Sequence, residues 1–480
     1  MKHWTGLLLA LIVGIGSAAF QCQAAWELPS IIEDGMVLQQ GTAASLWGWD
    51  EPGTIVTVTF RNQEQTAIAG ADGKWQLRIP TGSAGGPFVL GIKGSQTVSV
   101  TGVLVGEVWI AGGQSNMWWH EGGCRNAAGE KATANFPLIR IWDANTSTNQ
   151  SGWPAETPQR TVPAHWISVT PETVSNLPGV PYFFAREIHQ KLKIPVGIVH
   201  LAVPGQCIET FLSPTFIQAH LPMARHQQAQ LKQPAPACFF NGMVAPAAPY
   251  AARGFLWWQG ENNADRHLQY RVLFPGLIED WRRCWERPDA PFLFVELANF
   301  LKPQSQPVED DTWPALRDAQ SFALQLDHVQ EVSAIDVLGP DDSLFNIHPP
   351  NKQLIGHRLA LAARATVYGE RRLVWSGPRF QSAQFDGDRV RVSFTQIGSG
   401  LITKDGQPLK GFALAGADRQ FSWAVARLSQ NNTVILTATN VPQPVAARYS
   451  WANNPTGTLA NQEGLPAFPF RTDHWNLTEK

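Results

Sequence analysis

Gly106-Glu107-Val108-Trp109-Ile110-Ala111-Gly112-Gly113-Gln114-Ser115-Asn116-Met117 is the stretch that decides how this chain is read. A short apolar run bounded by glycines is a buried strand of parallel-sheet type. This one ends on a serine followed by a polar residue. A serine placed where a strand turns toward a helix offers its hydroxyl and its own backbone N–H to one space, as an acyl-transfer nucleophile needs. The pattern is Gly-Gln-Ser-Asn-Met, which differs from the Gly-x-Ser-x-Gly elbow of the α/β-hydrolases.

Downstream the same style continues. From Val105 to about Gly369, apolar runs alternate with helical stretches, as a doubly wound α/β domain requires. Strands are expected at Glu107 to Ala111, Val196 to Val203, Gly254 to Trp258, Phe292 to Leu297 and Val332 to Leu338. Helices are clearest at Val180 to Leu192 and Lys352 to Tyr368. The second has Pro349-Pro350 at its start, Ile355, Leu359, Ala363 and Val367 on one face, and Gly369 past its end. The segment Asn346-Ile347-His348-Pro349-Pro350-Asn351-Lys352 follows the last expected strand and opens this helix. In a parallel sheet, its loop and the Ser115 loop emerge at the same carboxyl edge, where such folds bind ligands. That placement makes His348 a candidate base for Ser115.

On either side the style is different. Residues 26–104 read as short alternating strands broken by Gly53, Asp72-Gly73 and Gly85-Gly86, among them Ala44 to Trp49, Ile55 to Phe60 and Lys74 to Leu77. This is the pattern of a small β-sandwich. Strand-like texture returns over 370–480, where a second β-sandwich is expected. Before both stands Met1-Lys2-His3, an apolar stretch from Leu7 to Gly16 and small residues at Ala24-Ala25. That is the order of a secretory signal peptide covering residues 1–25, so the protein is expected to be secreted or periplasmic. The apolar run is too short to span a bilayer, which needs about 18 or more residues, so no membrane anchor is expected.

The chain has 480 residues and a formal net charge of -2. The near balance builds no basic stripe, which argues against nucleic acid as a partner. Of five cysteines, Cys124, Cys207, Cys238 and Cys284 follow the leader. They match no zinc spacing and could form up to two disulfides or remain buried thiols. With no HExxH-like pair or Cys/His cluster, neither a metal nor an organic cofactor is expected. The 20 Trp against five Tyr allow sugar-stacking surfaces, although most indoles belong in cores.

Four blocks resemble one family in the correct order: Gly113-Gln114-Ser115-Asn116-Met117, Trp257-Trp258-Gln259-Gly260-Glu261-Asn262-Asn263-Ala264, Ile347-His348-Pro349 with Asn351-Lys352, and Asn461-Gln462-Glu463-Gly464-Leu465-Pro466 running to Phe470-Arg471-Thr472-Asp473. The chain is similar to the sialate O-acetylesterase branch of the SGNH hydrolases from Met36-Val37-Leu38-Gln39 onward. The resemblance implies a flavodoxin-like SGNH hydrolase domain at 105–369 with a parallel sheet, flanked by β-sandwich (jelly-roll-like) domains. It also implies an acetylesterase acting on an acetylated carbohydrate through an acetyl-serine intermediate. The substrate would be acetylated sialic acid or an acetylated hemicellulose such as xylan or xyloglucan. The competing reading is a non-catalytic carbohydrate-binding protein on a lapsed hydrolase core.

By the same resemblance Ser115 is the nucleophile, His348 the general base and Gly205 an oxyanion-hole residue. Pro204-Gly205-Gln206 stands where relatives show two glycines and a small hydroxyl residue. A further amide donor is expected from the 257–264 block, with Gln259 first, Asn263 second and Asn262 a bystander. Glu261 reads as a buried carboxylate that pins this loop. The acid that orients His348 is less clear from sequence, because Phe345 occupies the position three before the histidine and Asn346 follows it. Asp342 is the replacement, with Asp336 and then Asp341 as alternatives. A Ser–His dyad with a backbone carbonyl in the third role is the remaining reading.

Overall fold

The computed structural model describes residues 26–144, 152–220, 235–308 and 312–477. The leader expected at 1–25 lies outside the described residues. A central sheet runs in the order Val329–Val332, Phe292–Val295, Gly254–Trp258, Thr97–Gly113, Val196–His200, Phe136–Asp143 and Trp166–Val169. The first six strands are parallel, and the last pairs antiparallel at the edge. After Thr97–Gly113 the chain fills one half of the sheet, then crosses to the other half at Gly254. The middle strand is therefore a topological switch point, beside which open α/β sheets hold their ligands.

Both faces of this sheet are covered, which is why its strands lack polar alternation. Val108 and Ile110 pack on one side with Phe255, Trp257 and Trp281, while Trp109 and Ala111 pack on the other with Leu256, Trp258, Phe184 and Ile355. The second face carries the helices Gly179–Leu192 and Lys352–Thr366, which pack on each other. Asn351 caps the latter by accepting the Leu354 N–H at 3.3 Å, and Ile355, Leu359 and Ala363 are buried as the periodicity required.

Thr97–Gly113 is longer than the strand expected at 107–111. Its first half pairs antiparallel with Gly85–Lys93 and parallel with Val37–Gln39, in the N-terminal region, before it enters the central sheet. Near the crossing, fully buried Glu107 takes two hydrogen bonds from Arg253, at 2.6 and 2.7 Å, and one each from Gln40 and Tyr368. Burial works to raise the Glu107 pKa, but Arg253 and the other donors outweigh it and hold it below the usual carboxylate range. Beyond residue 378, two four-stranded antiparallel sheets enclose a separate core that includes Val390, Leu414, Leu436, Tyr449 and Phe470.

The sheet also differs from expectation elsewhere, since Phe136–Asp143 and Trp166–Val169 add two strands to the five expected. The last parallel strand is Val329–Val332 and ends where it was expected to begin. Residues 333–336 find side-chain partners in place of a neighbouring strand: Arg358 donates to Ser333 O at 2.7 Å and Glu296 accepts the Ala334 N–H at 3.3 Å. The helix His267–Cys284 is one of the helical stretches expected between strands, and it carries Pro275 inside it. Gly276 lies against the Phe216 ring, where a larger side chain would collide.

The end of the central strand is fixed by contact. Gly113 has φ +137°, and a Cβ there would press into the Trp258 carbonyl. Gly113→Ala should destabilise the fold by about 2–4 kcal/mol, since it combines a strained backbone with a clash that neither neighbour can relieve. Denaturant unfolding followed by tryptophan fluorescence measures this. A midpoint equal to that of wild type would show the strand end to be free.

Candidate active site

The turn that presents Ser115 is assembled from backbone contacts. Gln114 N–H donates to Trp258 O at 3.0 Å, which extends the pairing of Gly113 with Trp258 by one residue. The Gln114 side-chain oxygen accepts the N–H groups of Gly260 and Asn262, each at 3.4 Å. Ser115 then opens the four-residue helix Ser115–Trp118 and stays half-buried. Across the switch point the strand Val196–His200 leads to Gly205, whose φ of +70° suits glycine and whose Cβ direction is open space. Among the described residues, neither the Ser115 N–H nor the Gly205 N–H donates to a protein acceptor.

Gln259 and Asn263, the amides expected from the 257–264 block, are placed between the two loops that flank the site. Gln259 and Asn263 are fully buried, and both amides are occupied. Gln259 Nε2 donates to Asn263 Oδ1 at 2.7 Å and to Gln206 O at 3.2 Å, while its oxygen accepts from Tyr270. Asn263 Nδ2 donates to Glu209, which is itself held by Arg266. These two side chains tie the 206–209 loop to the 259–263 loop. Asn262, read as the bystander, is half-buried. Its Nδ2 reaches Gly205 O at 2.6 Å and its Oδ1 lies 3.5 Å from Gln114 Nε2. It stands between the serine turn and Gly205.

His348 arrives from the far side of the sheet. Its ring stacks on Trp119, with centroids 4.7 Å apart and planes at 24°. Its Nε2 is buried and has no hydrogen-bond partner among the described residues, Ser115 included. Apo catalytic hydrogen bonds are often long and tighten only when substrate binds. The serine and histidine loops are nonetheless joined directly, because Asn116 Nδ2 donates to Ile347 O at 3.1 Å.

Neither of the favoured acids meets the imidazole. Asp342 accepts from Arg125 at 2.6 Å and from the Gly339 N–H at 2.7 Å, so the bond expected from His348 is replaced by a loop-closing pair. Asp336 binds Arg358 at 2.7 and 3.0 Å and also takes Lys404. Burial works to raise its pKa, but the two cations prevail and keep it low. Asp341 is exposed. Asn346 Oδ1 accepts the His348 backbone N–H at 2.9 Å, which shapes the loop without touching the ring. With burial and the nearby Lys352 both disfavouring the imidazolium, the His348 pKa falls to about 4.

Two further residues of the site, Asn116 and Lys352, stood inside the quoted motifs without a role. Lys352 Nζ donates to Asn116 Oδ1 in a fully buried contact. The signal was present as polar residues beside Ser115 and after His348. Among the described residues, no cluster of His, Cys, Asp and Glu could hold a metal ion, no helix is long and apolar enough to cross a membrane, and the four cysteines are free thiols. Trp118 and Trp119 are half-buried beside Ser115, whereas Trp257 and Trp258 are core.

A flavodoxin-like parallel sheet, with β-sandwich regions around it and a serine and a histidine loop meeting at its switch point, defines an SGNH-type hydrolase. The family model described as carbohydrate esterase, sialic acid-specific acetylesterase, matches residues 105–365, and the chain belongs to that family. It is 28% identical to the sialate O-acetylesterase of Pongo abelii and 27% identical to that of Homo sapiens, in each case over 97% of this chain and 95% of the relative. The crystal structure of a carbohydrate acetylesterase from Xanthomonas citri superposes with a TM-score of 0.84 at 35% identity, covering 94% of this chain and 100% of that one. The protein is therefore a carbohydrate O-acetylesterase, and the reading as a non-catalytic binding protein falls away.

The electrostatics at His348 yield a pH test. A base must be neutral to act, so kcat/KM should rise through the His348 ionisation near pH 4 and stay level above it. A carboxylate on Nδ1 would stabilise the imidazolium and move that rise toward pH 7. Asp342→Asn should lower kcat less than about tenfold, against the roughly ten-thousandfold loss of a true triad acid. A rise near pH 7 that disappears in Asp342→Asn would restore Asp342 to the triad.

Proposed function

We propose that this protein is an exported serine esterase that deacetylates hemicellulose-type glycans through an acetyl-Ser115 intermediate. Ser115 Oγ attacks the acetyl carbonyl while His348 takes its proton. The tetrahedral oxyanion is received by the N–H groups of Ser115 and Gly205 and by Asn262 Nδ2, which turns from Gly205 O toward the incoming oxygen. His348 returns the proton to the departing sugar hydroxyl, leaving acetyl-Ser115. Water, activated by the same imidazole, then releases acetate. The observation that carries this reading is the pair of unclaimed N–H groups, on Ser115 and Gly205, at the switch point.

The choice of glycan rests on charge. A sialic acid carboxylate calls for an accessible cation without a partner, whereas the cations described in this region are paired or buried: half-exposed Arg125 with Asp342, Arg266 with Glu209 and Lys352 in the core. Half-buried Trp118 and Trp119 offer apolar faces that suit a neutral pyranose. Export is supported by the order of charged, apolar and small residues in 1–25, with the mature chain starting near Ala25 or Trp26.

Acetate release from acetylated xylan or xyloglucan and from O-acetylated sialic acid, measured side by side, tests the substrate. The polysaccharide should be favoured in kcat/KM by at least about tenfold, and the reverse preference would overturn the charge argument. Ser115→Ala should abolish release from either while the unfolding midpoint stays put, because the hydroxyl serves chemistry and not packing. Activity above a few per cent of wild type would assign the reaction to another nucleophile.

A further inference from the structure

Three loops meet beneath the reacting pair at one side chain, Asn116. It directly follows Ser115, and its Nδ2 donates to the carbonyl of Ile347, the residue before His348. The second N–H of the same amide goes to Glu261 Oε1 at 2.6 Å, and its oxygen accepts from Lys352. Lys352 and Asn116 are fully buried and Glu261 nearly so. We propose that Lys352 and Glu261 are positioning residues for the esterase reaction, orienting the Asn116 amide so that it sets the separation of Ser115 from His348. This inference rests on the Ser115–His348 reading above.

The Ile347 carbonyl can only accept, which fixes the orientation of the Asn116 amide, and the charged forms of its other two partners reinforce it. A lysine nitrogen carrying its full complement of protons only donates, and a carboxylate only accepts. Turning the Asn116 amide over would set N–H against ammonium and oxygen against carboxylate, and would withdraw the donor from Ile347 O. The Lys352 ammonium also lies over the Trp258 ring, 4.5 Å from its centroid, so it is held from two sides. Its first turn of helix therefore registers on the strand end that carries the serine turn.

Stability does not account for such a cluster. Taking an ammonium and a carboxylate out of water can cost more than their attraction returns, and apolar side chains of equal volume often do as well. The cost is visible here. Burial pushes the Lys352 pKa down to about 7, and burial pushes that of Glu261 up. The remaining Glu261 oxygen has no partner among the described residues. What the cluster does accomplish is geometric, since a displacement of about 1 Å in a reacting pair can cost about a hundredfold in rate.

Four variants test the proposal against Ser115→Ala as reference, with kcat, KM and the thermal midpoint measured on an acetylated glycan. Lys352→Met removes the donor and fills a similar volume, so kcat, measured at a temperature where the variant is fully folded, should fall about a hundredfold, with KM within about threefold, while the midpoint drops because Glu261 is left buried without the cation. Asn116→Asp, which cannot donate to Ile347 O, should lose as much. Glu261→Ala should also fall, and Glu261→Gln, which keeps an acceptor for Asn116, should recover most of that loss. If Lys352→Met keeps wild-type kcat while Ser115→Ala is inactive, the positioning role is wrong and the site reading stands. Losses of kcat in Lys352→Met and Glu261→Ala that disappear at temperatures where each variant is fully folded would make the cluster structural and overturn the proposal. An active Ser115→Ala would instead remove the site reading itself.

Discussion

The Trp258 carbonyl is the contact on which the site depends. It accepts the Gln114 N–H and lies where a side chain on Gly113 would have to go. These two conditions stop the central strand at one residue and start the serine turn at the next. Because Trp258 is itself a strand end, the loop after it is placed by the same contact. Gln114 then binds that loop through Gly260 and Asn262. The large buried indoles of Trp257, Trp258 and Trp281 hold the platform rigid, each contributing burial worth several kcal/mol at about 25 cal/mol per Å².

The histidine is organised on another principle. In a Ser-His-Asp triad a carboxylate fixes the imidazole and stabilises its charge. Here a stacked indole fixes the ring, and the surroundings oppose its charge. As the proposed base, such an imidazole is weaker than a triad histidine but stays neutral well into acid. The penalty in basicity falls on proton transfer, so correct placement of the serine hydroxyl matters more. That is consistent with a buried amide bridging the residues on either side of the reacting pair.

Much of the architecture was legible from local pattern. Gly254 to Trp258 reads as a strand to the residue, and Ile355, Leu359 and Ala363 mark the inner face of the last helix. Ser115, Gly205 and His348 could be placed because each lies just beyond an element whose periodicity is plain. What sequence does not disclose is where a polar side chain turns once its loop is folded. Asp342 is claimed by Arg125, 217 residues away. Gln259 is claimed by a neighbour four residues on, which leaves the adjacent asparagine, Asn262, facing Gly205. The stretch 332–338 has strand composition, yet Arg358 and Glu296 bind its backbone and draw it out of the sheet. In each case a tertiary partner overrode a local preference.

The central claim is that the serine at the end of the middle strand is the nucleophile. Treatment of the protein with a serine-directed organophosphorus ester, followed by digestion and peptide mass mapping, tests it directly. The account predicts one adduct, on the peptide that contains Ser115, with loss of esterase activity in proportion to its formation. An adduct on any other serine, or complete labelling of Ser115 with activity retained, would contradict it.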